Sequence, residues 1–165
     1  MIPESIVNYL RQHGVAFTRH WHPRVIAAQE LAAVLHVSGH RVAKSVIVRV
    51  AGKLQIAVLS AADYLDPRRL AAVIGTSRVD FAREEEFAGL FLGCEVGAEP
   101  PFGRLFGMPV LVETSFPRHE TIFFRAGSHE EVMEMSFADF LELEQPAIAS
   151  FGRPQAFVEE AVAPA

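Results

Sequence analysis

The stretch Val42-Ala43-Lys44-Ser45-Val46-Ile47-Val48-Arg49-Val50, followed by Ala51-Gly52-Lys53 and then Leu54-Gln55-Ile56-Ala57-Val58-Leu59-Ser60, decides the fold. Two runs rich in β-branched residues joined by a short glycine-containing connection predict a β-hairpin. Side chains alternate along a strand, so Lys44 shares a face with Val42, Val46, Val48 and Val50. Ala43, Ser45, Ile47 and Arg49 form the other, less apolar face. An ammonium buried on an apolar face costs several kcal/mol unless something compensates it. Lys44 therefore snorkels from the end of the strand, pairs with a carboxylate, or faces a pocket. Lys53, at the hairpin tip, reads as solvated.

The flanking sequence alternates helices and strands. Residues 3–13 predict a helix, with Pro3 in its first turn, Ile2, Ile6 and Leu10 four apart, and Gly14 as its stop. Residues 15–21 predict a strand, and residues 29–35 a second helix with Leu31, Val34 and Leu35 on one side. Asp66-Pro67 caps a third helix that ends at Gly75. A strand at 78–82 and a helix carrying Phe87, Leu90 and Phe91 come next. Strands at 109–113, 121–125 and 132–135 follow, the last two turning at Gly127-Ser128-His129, and Ser136 with Asp139 opens a final helix. This mixture predicts an α/β (α+β) fold: a mixed, partly antiparallel sheet forming a barrel-like core with helices packed around it. Residues 1–145 read as one domain. Residues 146–165, rich in Ala, Pro and Glu, read as a semi-ordered tail in which Phe151, Phe157 and Val158 can still pack.

Composition narrows the function. The chain has 165 residues, half of them apolar and 21% charged, which fits one globular domain and excludes a disordered chain. A net charge of −5 excludes a strongly electropositive, non-specific nucleic-acid binder but leaves room for a local basic patch. A single cysteine, Cys94, excludes an internal disulfide framework and a multi-cysteine zinc site, and agrees with a reducing cytoplasm. No apolar run reaches membrane-span length and the first residues lack a signal-peptide pattern, so a cytoplasmic protein without a membrane partner is expected.

Three further features bear on chemistry. The segment Gly93-Cys94-Glu95-Val96-Gly97-Ala98-Glu99-Pro100-Pro101-Phe102-Gly103 has the glycines and prolines to aim backbone N–H groups at an oxygen, or to be a plain connecting loop. His20 and His22 point the same way along a strand, as a two-histidine metal site requires, but no third ligand stands at a recognisable spacing. Cys94 has no histidine near it in sequence, and no Ser/His/Asp signature is present, which leaves no evident side-chain nucleophile.

These pieces together resemble the YbaK family, which includes the editing insertion of bacterial prolyl-tRNA synthetases and its free-standing relatives. The resemblance covers roughly residues 15–144. It is carried by His22-Pro23, Gln29-Glu30-Leu31-Ala32, Val42-Ala43-Lys44-Ser45-Val46-Ile47-Val48, Gly97-Ala98-Glu99-Pro100-Pro101-Phe102-Gly103 and Ala126-Gly127-Ser128-His129, in that order. Ala27-Ala28 and Glu113 depart from it, standing where members often carry Ser or Thr and Asp. The resemblance implies a trans-editing hydrolase that cleaves the ester between a wrong, small amino acid such as alanine or cysteine and the terminal ribose of tRNA-Pro. It assigns catalysis to Lys44 and to the backbone N–H of Gly97, with the ribose 2′-hydroxyl assisting water and no cofactor or metal. It assigns substrate binding to Ser45, Pro101, Gly103, Gly127, His129 and His22. The expected partners are the aminoacylated 3′ end of tRNA and an aminoacyl-tRNA synthetase. Since only the 3′ end enters a pocket, few phosphates need neutralising, which reconciles the reading with net acidity. Two alternatives stay open: a non-catalytic binding module of the same fold, and a metal-dependent hydrolase using His20 and His22. The editing reading requires Lys44 Nζ, the Gly97 N–H and the His129 ring to converge on one cavity.

Overall fold

A computed structural model of the protein describes residues 1–154. Helix α1 (Glu4–Gln12) leads to β1 (Thr18–Trp21), α2 (Ala28–Leu35) and the hairpin of β2 (Val42–Val50) and β3 (Lys53–Ser60). There follow β4 (Asp63–Leu65), α3 (Pro67–Ile74), β5 (Val79–Phe81), α4 (Glu84–Phe87) and α5 (Gly103–Phe106). The chain continues through β6 (Val110–Glu113), β7 (Thr121–Arg125), β8 (Glu131–Ser136), α6 (Phe137–Glu144), β9 (Ala147–Ala149) and β10 (Gly152–Pro154). The local signals act as expected at the helix ends: Asp66 accepts the Arg68 and Arg69 N–H groups, and Ser136 accepts that of Asp139. The helix expected around Phe87–Phe91 is shorter, since α4 passes into a single 3-10 turn at Ala88–Leu90.

The main sheet runs β1-β8-β7-β2-β3-β6-β9, with β5 also on β2, and β4 pairs separately with β10. Three pairings are parallel (β2–β7, β3–β6, β6–β9) and the other main-sheet pairings antiparallel, so the sheet is mixed as predicted. Its hydrogen-bonded path ends at β1 and β9 and does not close into a ring among the described residues. No helix of the described residues is long and apolar enough to cross a membrane.

Two details of β2 make the site. First, β3 pairs along one edge of β2 from Ala43 to Val50, while the other edge is shared: β7 reaches only Val42 and Ala43, and β5 only Val48 to Val50. Residues 44–47 on that edge have no neighbouring strand among the described residues. Second, both faces of the hairpin are covered, not one. Ala43, Ile47, Ile56 and Val58 pack into the large core with α1 and α6. On the opposite face Val48, Val50, Ala57 and Leu59 pack beneath α3, while Val42 packs beneath α2. Lys44 lies on this second face, between the patch under α2 and the patch under α3. A lysine is tolerated in this largely buried strand because it borders a hollow that opens to solvent beside the start of α2.

The segment after residue 145 contributes two strands where composition predicts a semi-ordered tail. β9 adds to β6, and the buried Glu113 carboxylate accepts the N–H groups of Phe151 and Gly152, fixing Phe151 in the core. Phe157 and Val158 lie outside the described residues.

Candidate functional site

Lys44, Ser45 and Gly97 line one small cavity of about 40 Å³, together with Ala28, Leu31, Val42, Ala43, Glu99 and Arg125. The cavity sits at the unpaired stretch of β2, closed above by α2 and at the side by the 93–103 loop. A shallower hollow of about 220 Å³, lined by Ala27, Ala28, Gln29, Lys44 and Ala61, shares Lys44 and Ala28 with it. The lysine thus stands between a narrow, partly open recess and a wider antechamber. Burial lowers the Lys44 pKa, with the nearby Asp63 carboxylate opposing that shift. Asp63 is itself buried and accepts the Ser115 hydroxyl at 2.9 Å and that of Ser60 at 3.3 Å. Among the described residues Lys44 has no ion-pair partner within 4 Å. Its ammonium is left for whatever enters.

A larger hollow of about 360 Å³, lined by His13, Gly14, Val15, Arg104, Asp139, Glu142 and Leu143, shares no residue with the lysine cavity. Volume alone favours it. The buried cation, the left-handed glycine and the buried carboxylate favour the smaller recess, because these groups make a site chemically capable.

The 93–103 loop is held in place by the β7–β8 turn. Glu95 N donates to Gly127 O at 3.0 Å, Gly127 N to Ala98 O at 2.7 Å, and His129 N to Glu95 Oε2 at 2.6 Å. His129 Nε2 lies 2.8 Å from the Val96 carbonyl; a carbonyl only accepts, so Nε2 carries the proton and the buried Nδ1 is left without a partner among the described residues. Arg24 binds the Glu95 carboxylate at 2.9 Å and, with the His129 N–H, holds its pKa below the usual carboxylate range. Gly127 has φ +98°, and a Cβ there would stand 2.7 Å from Pro3 Cδ and 3.0 Å from Cys94 Sγ, so only glycine fits this clamp.

Of the three groups expected to converge, Lys44 and Gly97 line one cavity, whereas the His129 ring lies behind the loop. A Cβ built on Gly97 (φ +87°) would meet the His129 ring at 3.4 Å. His129 supports Gly97 and does not line the cavity. The Gly97 N–H, which the sequence reading offers to the ester, donates here to Glu99 Oε1 at 3.0 Å. Pro101 and Gly103 are buried and do not line the cavity. Gly103 starts α5, where a Cβ would fall 2.1 Å from Met108 O and 2.5 Å from Val110 Cγ2. Gly103→Ala is expected to cost at least about 2–3 kcal/mol through backbone displacement, read as a lowered midpoint in urea unfolding. His22 Nδ1 donates to the Pro23 carbonyl at 2.8 Å, and His20 Nε2 meets Glu134 at 2.8 Å, so the two rings are engaged separately. Among the described residues no three His, Cys, Asp or Glu side chains group as a metal would need. The Cys94 thiol pKa is pushed up to about 11 by burial and by the Glu99 charge, which keeps it protonated and poorly nucleophilic.

Sequence reasoning missed Glu99 and Arg125. Both are over nine-tenths buried and both line the cavity. Arg125 donates from Nη2 to the Val25 carbonyl at 2.8 Å, while its buried Nε has no partner among the described residues. Each was visible as an oddity: Glu99 is the only charge between Ala98 and Pro100-Pro101-Phe102, and Arg125 directly follows Ile122-Phe123-Phe124.

A buried cation, a buried carboxylate and a glycine loop around a recess of this size suit binding and polarisation of a small ester. The sequence matches the aminoacyl-tRNA editing domain family over residues 22–143, most of the chain, and the protein belongs to that family. It is an aminoacyl-tRNA deacylase, a hydrolase of translation fidelity. It is 28% identical over 159 residues to the multifunctional Ser/Thr-tRNA deacylase ProXp-y of Escherichia coli K12, covering 91% of this chain and 92% of that one. The Escherichia coli O157:H7 protein of the same name matches equally. Among solved structures, a proposed trans-editing enzyme for prolyl-tRNA synthetase superposes with a TM-score of 0.79 at 17% identity, over 91% of this chain and 96% of that one. The hypothetical protein APE2540 also superposes at 0.79, with 20% identity over 90% and 99% of the two chains. At these identities the structures speak for the fold alone.

Proposed function

We propose that the protein acts in trans on tRNA-Pro carrying a small wrong amino acid, and that Lys44 and the Gly97 loop perform the cleavage. The observation that carries this reading is the shared recess: a desolvated ammonium and a left-handed glycine face one cavity of about 40 Å³. A water needs roughly 10–15 Å³ of such space, so the recess takes about three non-hydrogen atoms and admits only part of a small aminoacyl group, such as that of alanine, cysteine, serine or threonine, with the rest in the adjoining hollow. The relative named a Ser/Thr-tRNA deacylase, and the polar lining from Ser45, Glu99 and Arg125, support serine and threonine beside the alanine and cysteine expected from the sequence. The tRNA-Pro assignment rests on the likeness of the motifs to the prolyl-synthetase insertion. In the reaction, Lys44 polarises the ester carbonyl and stabilises the oxyanion as water adds, while the substrate's ribose 2′-hydroxyl assists the water. Size exclusion then supplies discrimination, since binding alone separates one methylene by only about 1–3 kcal/mol. With a net charge of −5, affinity for the body of the tRNA comes from a partner such as a synthetase.

The competing reading, a non-catalytic module that binds aminoacyl-tRNA or a synthetase, draws on one observation: the Gly97 N–H is already taken by Glu99. A deacylation panel separates the two. tRNA-Pro charged with alanine, cysteine, serine, threonine or proline is incubated with wild type and with Lys44→Met, and the remaining ester is counted. Cleavage of one or more small residues, with proline spared and the variant inactive, is the expected result. Saturable binding with no turnover on any substrate would favour the module.

A further inference from the structure

Glu99 is a costly residue for this cavity: a carboxylate only 7% exposed, between Ala98 and Pro100-Pro101-Phe102. One oxygen, Oε1, accepts the Gly97 N–H at 3.0 Å. The other, Oε2, accepts nothing among the described residues, yet it is not among the atoms sealed from solvent. Since Glu99 lines the recess, this oxygen is taken to face it. The two cations that line the same recess, Lys44 and Arg125, form no ion pair with Glu99 within 4 Å among the described residues. An unpaired buried carboxylate is destabilising, and such groups persist where a ligand supplies the missing partner. An aminoacyl ester brings that partner in its α-ammonium, which carries three donors and a positive charge. An ionised carboxylate has about four acceptor positions, so it can hold the Gly97 N–H and the ammonium together.

We propose that Glu99 is the anchor for the substrate's α-ammonium, making a free amino group part of what this enzyme recognises. The inference rests on the deacylase reading above. Glu99 couples two tasks: its Oε1 fixes the Gly97 backbone, and its Oε2 fixes the end of the substrate next to the reacting carbonyl. Lys44 and Arg125 are left to the electronegative groups, and the ammonium is kept away from like charge. Esters lacking the charged amine, such as N-acylated aminoacyl-tRNA or α-hydroxyacyl-tRNA, fall outside the substrate class.

The test compares two nearly isosteric esters on the same tRNA: the amino acid that wild type removes fastest, and its α-hydroxy counterpart (lactyl for alanyl). Both are measured with wild type and with Glu99→Gln, which retains an oxygen for the Gly97 N–H and loses the charge. The ratio of the two kcat/KM values, compared between enzymes, cancels the intrinsic lability of each ester. Wild type is expected to prefer the amino ester, and Glu99→Gln to shrink that preference at least about tenfold, the scale of a hydrogen bond to a charged group. The loss should appear mainly in KM for the amino ester, with the hydroxy ester little changed. Equal loss on both esters would assign Glu99 to loop support alone and overturn the proposal while leaving the deacylase intact. An unchanged ratio would overturn it as well. No turnover of any ester by wild type would instead remove the deacylase reading, and the anchor with it.

Discussion

Lys44→Met is expected to abolish deacylation while raising the melting temperature. Removing the cation that stabilises the oxyanion should lower kcat/KM at least about 100-fold. The same change relieves a buried ammonium with no ion-pair partner within 4 Å among the described residues, and methionine nearly preserves its volume. Replacing buried ionic groups by apolar ones of similar size stabilises proteins by about 1–4 kcal/mol. Lys44 keeps a path to water through the antechamber, so a gain of about 1 kcal/mol is expected, or roughly 2–4 °C for a domain of this size. Burial lowers the folded-state pKa below the ordinary lysine value of 10.5, so the charge penalty is complete at neutral and acid pH. It fades as pH rises through the folded pKa toward that ordinary value, and the Tm gap between wild type and variant should narrow in alkaline buffer. Calorimetry across that range checks the sign. A variant that is inactive and less stable would show that Lys44 is structural.

The second large effect is expected at Gly97. Alanine there must hold φ near +87°, at roughly 1–2 kcal/mol, and its Cβ would press the His129 ring at 3.4 Å. The ring cannot retreat freely because its Nε2 is bonded to Val96 O and its backbone N–H to Glu95. The loop moves instead, and misplacement on the scale of an ångström costs about 100-fold in catalysis. Gly107→Ala is the control. It imposes a similar strain at φ +71° with nothing within 4 Å of the new Cβ, so it should lose similar stability and keep full activity. Equal activity of the two variants would detach the 93–103 loop from the chemistry.

The parts of the fold that were legible in the sequence are those fixed by neighbours in the chain. The β2–β3 hairpin announces itself by alternation and its turn, and α3 by Asp66, Pro67 and Gly75. The strands that were missed, β4, β9 and β10, are three residues long and exist through non-local pairing and the Glu113 carboxylate. The site divides along the same line. Lys44 stood out as an ammonium in a valine-rich strand, and Gly97 as a glycine inside a proline-flanked bend. What could not be read was which groups the tertiary fold would add. Glu99 lies two residues from Gly97, yet the recess it lines is completed by residues of α2 and β7, and Arg125 reaches it from a strand 81 positions beyond Lys44. His129 was legible as a neighbour of the site but not as a clamp on Val96, since that role depends on a loop 33 residues away.

The most direct measurement asks where the 3′ end of an aminoacylated tRNA sits. Serine joined by an amide to 3′-amino-adenosine resists hydrolysis and carries the ammonium, carbonyl and ribose of the substrate. Titrated into isotopically labelled protein, it should shift the resonances of residues 43–45, 96–99 and Arg125 in a saturable manner, together with the Lys44 side-chain amine. Saturable shifts confined to His13, Arg104, Asp139 and Glu142, or no shifts at millimolar ligand, would place the chemistry elsewhere and contradict this account.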